Sequence, residues 1–408
     1  MDKKVKWPKE YLHTPYSKKS IEQIWDDIDG YSFESSFEKE EKKDKIDFVV
    51  VLPPLNYKGK FLKGVFYSQA VDKILDTIPG IKDMFISVAN SMFSSYPMSQ
   101  SADCYFTSYN NPLKEEYYRK KYPQKDVILI PLQDADFANE YEMAPVKGYK
   151  KDLDIFCTTS PYPFKNITMF AKGIKAYEKK YGKILKVEYA IGMKEAKRLE
   201  DGTFDYSKLR SDVQFQLDSL KLILGGNIEK YIDFYPYIKH DELKNHYSRA
   251  KCAVLCSLLE GKNRFIHEAQ SCDVPVIVFN DFNKYARGNH PAFYPRGGEY
   301  VPEFTPEALA DTIHKVITHP NAYTPRESYL KYSGRKNFID NLISYIPYYQ
   351  WNVPDYNGKI TDNIWINLAF HYNYQIPYFD FIYEKNTLNH TRGIEKIKEL
   401  YDYYSTMI

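Results

Sequence analysis

Five cysteines in 408 residues (Cys104, Cys157, Cys252, Cys256 and Cys272) are few, scattered and odd in number. No pair has C-x-x-C spacing, and no histidine pair stands near Cys252 and Cys256 to complete a zinc site. A disulfide scaffold and a zinc ribbon are therefore excluded, and all five read as reduced, mostly buried thiols of a reducing compartment. The nine histidines form no H-x-x-x-H pair, and His240, His246 and His267 are expected at the surface or in support of neighbouring site residues. No run of about 18 apolar residues occurs, so no membrane span is expected. The basic N-terminus MDKKVKWPKEYLHTPYSKKS leads into no apolar segment, which argues against a signal peptide. A cytoplasmic location follows; peripheral contact with anionic lipid through Lys3, Lys4, Lys6, Lys9, Lys18 and Lys19 stays open beside a solvated arm. A net charge of only +2 argues against a nucleic-acid binder that relies on bulk electrostatics. There are no internal repeats and no low-complexity tracts.

The length exceeds what one hydrophobic core usually supports, so two domains are expected. Hydrophobic residues at 43% and charged residues at 27% are ordinary for a globular protein. The 39 tyrosines lift the aromatic share to 16%, through compositional bias and core packing or through rings that stack on sugars. After a polar arm over residues 1–45, a first strand is expected at 46–52 and a helix around 65–78. Apolar runs follow at 84–88, 104–107 and 127–131, separated by helix-length polar segments such as 112–122. The segment 144–151 reads as a linker. A second series then alternates: strand 154–157, helix 168–181, strand 185–191, a polar excursion at 194–211, strand 231–235, and later a helix at 306–317. Such alternation predicts parallel sheets. The expectation is α/β: two Rossmann-like parallel-sheet domains, 1–150 and 151–344, then a helical, aromatic-rich tail, 345–408, that carries Trp351 and Trp365 and returns to the first domain.

The densest chemistry lies in residues 247–279, YSRAKCAVLCSLLEGKNRFIHEAQSCDVPVIVF. An apolar strand ends at Leu255, a Glu-Gly-Lys-Asn turn follows, and an amphipathic helix leads to a second strand. Ligands of open α/β sheets bind beyond the carboxyl ends of strands. Gly261 allows close backbone approach, and Asn263 can cap a helix whose N–H groups and dipole favour a diphosphate. Arg264 and Glu268, four residues apart, share one face. The alternative is an intrahelical ion pair worth roughly 0.2–0.5 kcal/mol, with Glu260 a plain loop residue.

The flanks of this stretch resemble the donor-site signature of family 4 glycosyltransferases, retaining enzymes of the GT-B fold whose two Rossmann-like domains face a cleft. The counterparts are Tyr247, Ala250, Ser257, Glu260-Gly261, Glu268-Ala269 and Pro275-Val276. Residues 232–238 (IDFYPYI) occupy the place of the preceding Phe-x-Gly-x-Val strand, and 304–313 (FTPEALADTI) that of the closing helix. Residues 154–166 (DIFCTTSPYPFKN) stand where the family has a strand and Gly-Arg-x-x-x-x-Lys-Gly; Lys165 fits the Lys, while Thr159 or Ser160 replaces the Arg. Farther back, the chain from Ala102 to Phe137 resembles the last strand of the first domain and its turn into the linker.

The resemblance implies a metal-independent transfer of a hexose-type sugar from a UDP- or GDP-sugar to a glycan, lipid-linked or protein acceptor. Glu260 would hold donor-sugar hydroxyls, and Lys165 with Arg264 would neutralise the departing diphosphate. Glu268 would take the ribose. Gly261, Lys262, Asn263, Phe265, Ser160 and Tyr237 would complete the donor side. No catalytic base is identified. Departures from the pattern are the missing Arg, Pro236 in place of a Gly, a short first domain, and PPLNYKGKFLKG where a Gly-rich loop is usual. They leave a non-catalytic sugar- or partner-binding subunit as the alternative. Asp134-Ala135-Asp136, after the apolar run VILIPL, offers a second one: the Asp-x-Asp metal site of a GT-A glycosyltransferase. A nucleotide-sugar epimerase ranks last, because no acid/base pair for it can be named.

Overall fold

The computed structural model describes residues 48–57, 59–68, 70–90, 99, 101–109, 115–116, 119–120, 123, 128–132, 134–137, 140–200, 203–258, 260, 262–280, 282, 290–353 and 393–406. The chain divides into two compact units. One comprises Asp134–Arg335, and the other is built mainly from chain up to Gln133 and from Lys336 onward. Both are α/β with largely parallel sheets, the class expected from the alternation.

The first unit holds β1 (Val49–Leu52), β2 (Leu55–Tyr57), β3 (Lys60–Leu62), β4 (Gly64–Tyr67), β5 (Phe85–Asn90), β6 (Cys104–Phe106) and β7 (Ile128–Ile130). Its main sheet runs β1-β4-β5-β6-β7. β4 to β7 are parallel, whereas β1 pairs antiparallel with β4 at the edge. The reason lies in the connection from Leu52 to Gly64. It is spent on the β2–β3 hairpin and is too short for the crossover that a parallel neighbour requires. Residues 64–67 are thus a strand, and the helix expected from residue 65 begins only at Val71. Phe48 and Phe66 stack at 4.7 Å in this core. The tail helix Gly393–Ser405 adds Ile397, Leu400 and Tyr404 to it, and Tyr349 is buried with its hydroxyl donating to the Lys63 carbonyl at 2.7 Å. Trp365 lies outside the described residues.

The second unit holds β8 (Leu153–Thr158), β9 (Val187–Ala190), β10 (Lys197–Arg198), β11 (Phe204–Asp205), β12 (Asp233–Tyr235), β13 (Ala250–Leu255), β14 (Val276–Phe279) and β15 (Gly298–Val301). The polar excursion forms the β10–β11 hairpin. The main sheet runs β12-β9-β8-β13-β14-β15, with every pairing parallel. In order of appearance these strands read 3-2-1-4-5-6, the doubly wound dinucleotide-fold order.

Alternation along each strand fills two cores, because successive side chains point to opposite faces. Ile155, Cys157, Cys252, Val254, Ile277 and Phe279 face helices Ile167–Tyr181, Ser211–Ile223 and Pro306–Thr318. Phe156, Ala253, Leu255, Val276 and Val278 face helices His240–Arg249 and Arg264–Ser271. Helix Pro306–Thr318 starts at a Thr305 cap, whose Oγ1 accepts from the Ala308 N–H at 3.2 Å. It packs close to helix Ile167–Tyr181 at Gly173, where a Cβ would come within 2.5 Å of Leu309.

The segment expected to be a linker belongs to this unit. Val146 N–H donates to Ser248 Oγ at 2.9 Å, and Ser271 Oγ donates to the Met143 carbonyl. The unit starts ahead of this segment, at Asp134. All five cysteines are buried free thiols; burial pushes those of Cys157 and Cys272 up to about 12. Among the described residues, no helix is long and apolar enough to cross a membrane.

Candidate functional site

β8 and β13 lie side by side, Leu153 opposite Ala250 and Phe156 opposite Ala253. Beyond their carboxyl ends the chain departs in opposite directions, toward β9 from one and toward β14 from the other. That divergence opens the crevice where open α/β sheets bind ligands. The turn after β8 carries Ser160 and the 3-10 helix Pro163–Lys165. A backbone hydrogen bond from Leu258 N–H to the Phe164 carbonyl, 2.8 Å, ties it to the turn after β13. Across the two turns, Lys165 Nζ pairs with Glu260 Oε1, the side chains only 15% and 10% exposed. The same ammonium lies 4.9 Å from the centroid of the Phe164 ring, which stacks on Tyr162. Ser257, in the turn after β13, is buried, and its Oγ has no hydrogen-bond partner among the described residues.

Asn263 caps helix Arg264–Ser271, its Oδ1 accepting from Phe265 N–H at 2.8 Å. One turn on, the buried Glu268 carboxylate collects three neighbours. Arg264 Nε stands 3.2 Å and His240 Nε2 3.4 Å from Oε1, and the Tyr247 hydroxyl is 3.5 Å from Oε2. Burial, and then the Glu268 charge, push the Tyr247 phenol well above its usual range, so it stays a neutral donor. The intrahelical Arg264–Glu268 pair is present, but it belongs to a larger cluster around a buried carboxylate. Such a carboxylate, with partly exposed donors beside it, is equipped to accept hydrogen bonds from vicinal hydroxyls.

The other expected residues take different places. Phe265 is buried in the core, 6.2 Å from the Tyr247 ring, so only its backbone remains near the turn. Lys262 forms a buried ion pair with Asp136, Nζ to Oδ1 2.6 Å, with side chains 13% and 6% exposed. Asp136 follows the junction of the units, in the 3-10 helix Asp134–Phe137. The structure therefore offers this carboxylate to an ammonium, and among the described residues no three His, Cys, Asp or Glu gather for a metal. The Asp134 side chain and Gly261 lie outside the described residues. Ser160 stands near Gly192, its Oγ 3.8 Å from where a Cβ would sit. Tyr237, 44% exposed, follows β12 with Lys194 Nζ 4.5 Å from its ring centroid.

Two features escaped sequence reasoning. Glu188, inside β9, is buried and accepts from His246 Nδ1 at 2.6 Å and Arg249 Nη1 at 2.8 Å. Burial raises its carboxyl, but the His246 hydrogen bond and the Arg249 charge outweigh this and hold it below the usual range. This network fixes helix His240–Arg249, and with it the His240 and Tyr247 that face Glu268. A charge in the apolar strand VEYA was the available signal. The second feature is His267, expected at the surface or in support of neighbouring site residues: it is only 5% exposed, and its Nδ1 has no hydrogen-bond partner among the described residues.

Burial pushes the His267 imidazole from the usual 6.5 down to about 4. Between those values the unfolded chain binds a proton that the folded one refuses, so stability falls as pH drops through that window. The loss should be at most on the order of 3 kcal/mol. Urea midpoints at pH 7 and 4.5 should differ less for His267→Gln than for the parent; equal differences would count against this origin.

No curated protein matches the chain. It is similar to the solved sucrose-phosphate synthase from Thermosynechococcus elongatus, 19% identical over 64% of this chain and 68% of that one, with a TM-score of 0.44. It is also similar to the pneumococcal O-GlcNAc transferase solved with UDP and GlcNAc, 13% identical over 68% of this chain and only 55% of that one, with a TM-score of 0.45. A third is the C-terminal domain of a glycosyl transferase group 1 family protein from Francisella tularensis, 15% identical over 48% and 97%, with a TM-score of 0.37. Residues 216–337, the stretch that holds Tyr247, Glu260, Arg264 and Glu268, match the family model described as glycosyl transferases group 1.

Proposed function

We propose that the protein is a retaining glycosyltransferase of the GT-B class, moving a sugar from a nucleoside diphosphate to a glycan, lipid-linked or protein acceptor without a required metal. The observation that carries this reading is the Lys165–Glu260 pair across the two turns at the strand-order reversal of the second unit, with the buried Glu268 on the helix that follows; Glu260 and Glu268 lie within the family match. Lys165, assisted by Arg264 and the start of the Asn263-capped helix, stabilises the charge that develops on the leaving diphosphate. Glu260 accepts from sugar hydroxyls and Glu268 from ribose hydroxyls. The acceptor oxygen bonds to the anomeric carbon as the carbon–phosphate-oxygen bond breaks on the same face, and the acceptor proton passes to the departing diphosphate. No protein base is then needed. A metal site at Asp134 and Asp136 is the weaker reading, because Lys262 already engages Asp136.

The test is incubation of the purified chain with UDP- and GDP-sugars in chelator. Slow donor hydrolysis or transfer is the expected result. Its absence with every donor favours a non-catalytic sugar-binding subunit, and restoration by Mn²⁺ favours the metal-dependent reading. Glu268→Ala should weaken binding of the free nucleoside diphosphate about 10- to 100-fold, since hydrogen bonds to a charged acceptor contribute roughly 1.5–3 kcal/mol each. Calorimetry that finds unchanged affinity would remove Glu268 from the ribose.

A further inference from the structure

Lys165, the cation assigned to the diphosphate, and Glu260, the carboxylate assigned to the sugar, are bonded to each other. Both side chains are largely shielded from water, so each depends on the other for its partner. The Leu258–Phe164 backbone bond holds the two turns together, which leaves rotation of the long Lys and Glu side chains as the way to part them. We propose that Lys165 and Glu260 form a resting ion pair that the donor exchanges, and that this exchange makes the site prefer an intact nucleotide sugar to the free nucleoside diphosphate. The inference rests on the donor-site reading above.

An intact donor supplies both replacements, diphosphate oxygens for Lys165 and sugar hydroxyls for Glu260. A free nucleoside diphosphate supplies only the first. It must separate the pair and leave a shielded carboxylate without its cation, a state that buried charges strongly disfavour. After transfer the glycosyl group has left, so re-formation of the pair helps to expel the nucleoside diphosphate. Glu260 is then a specificity-determining residue acting against product as well as a contact for the sugar.

This has an unusual consequence. If Glu260 only held sugar hydroxyls, Glu260→Gln would leave affinity for free UDP or GDP unchanged. With an exchanged pair, the amide no longer holds Lys165, and the variant should bind the free nucleoside diphosphate on the order of tenfold more tightly. Affinity for the nucleotide sugar should not rise in step. In a Lys165→Met background there is no cation to release, so adding Glu260→Gln should give no gain. Titration calorimetry with free UDP and GDP on the parent, the two single variants and the double variant tests this, with thermal unfolding to verify that each is folded. A tenfold gain confined to the Lys165 background supports the exchange. Equal or weaker binding by Glu260→Gln than by a parent that does bind overturns it. If neither parent nor variant binds any nucleoside diphosphate or nucleotide sugar, the donor-site reading itself falls, and the exchange with it.

Discussion

Replacing Glu260 with alanine should lower sugar transfer by about a hundredfold to ten-thousandfold in kcat/KM, while the two sheets stay folded. A carboxylate that accepts two sugar hydroxyls contributes roughly 1.5–3 kcal/mol through each. Their sum corresponds to about 10² to 10⁴ in rate if both bonds are made at the transition state. Stability should fall as well, because Lys165, only 15% exposed, loses its carboxylate partner, but the Leu258–Phe164 backbone bond does not involve that carboxylate and keeps the two turns joined. Steady-state transfer assays with a circular-dichroism melt separate the two effects. Full turnover by the variant would remove Glu260 from the reaction, and collapse of the melt would make its role structural.

The second large effect is on stability. Asp136→Ala leaves the Lys262 ammonium buried without its carboxylate, a change that typically costs about 3–5 kcal/mol. For a unit of this size that should lower the melting temperature by on the order of 10 °C. The pair is separated by most of the second unit's sequence, yet it anchors the turn two residues after Glu260 to the 3-10 helix at the unit's start. Combining Asp136→Leu with Lys262→Met removes both charges and should recover most of the loss, because apolar replacements of a buried pair are often neutral or better. A double variant no more stable than Asp136→Ala would mean that packing, rather than the loss of the Asp136 charge beside Lys262, sets the cost.

The second unit was legible in the sequence because most of its strands are largely apolar runs buried in the sheet, and two of its helices carry side-chain caps, Asn263 and Thr305. Asp154 to Cys157, Thr168 to Tyr181 and Pro306 to Ile317 all fall within the observed elements. The first unit was harder. GVFY at 64–67 is too short for periodicity to separate a strand from the start of a helix, and only the pairing with β5 decides it. The sense of β1 depends on the length of a connection, not on its own residues. At the site, Asn263 was readable as a cap because the bond is local. The Lys262–Asp136 and Glu188–His246 contacts were not, since they join residues far apart in sequence whose types are common on any surface. Phe265 shows the converse: a residue next to the crucial turn can point into the core.

The most direct test of the donor-site account is thermal unfolding with saturating UDP, GDP and their sugar conjugates, for the parent and for Lys165→Met. A ligand at about 100 times its dissociation constant stabilises the folded state by about 2.7 kcal/mol. The account predicts a melting temperature several degrees higher for the parent with one nucleotide class, largest with the sugar attached, and a much smaller rise for Lys165→Met. A parent melt unmoved by every nucleoside diphosphate and nucleotide sugar, or an equal rise in Lys165→Met, would contradict it.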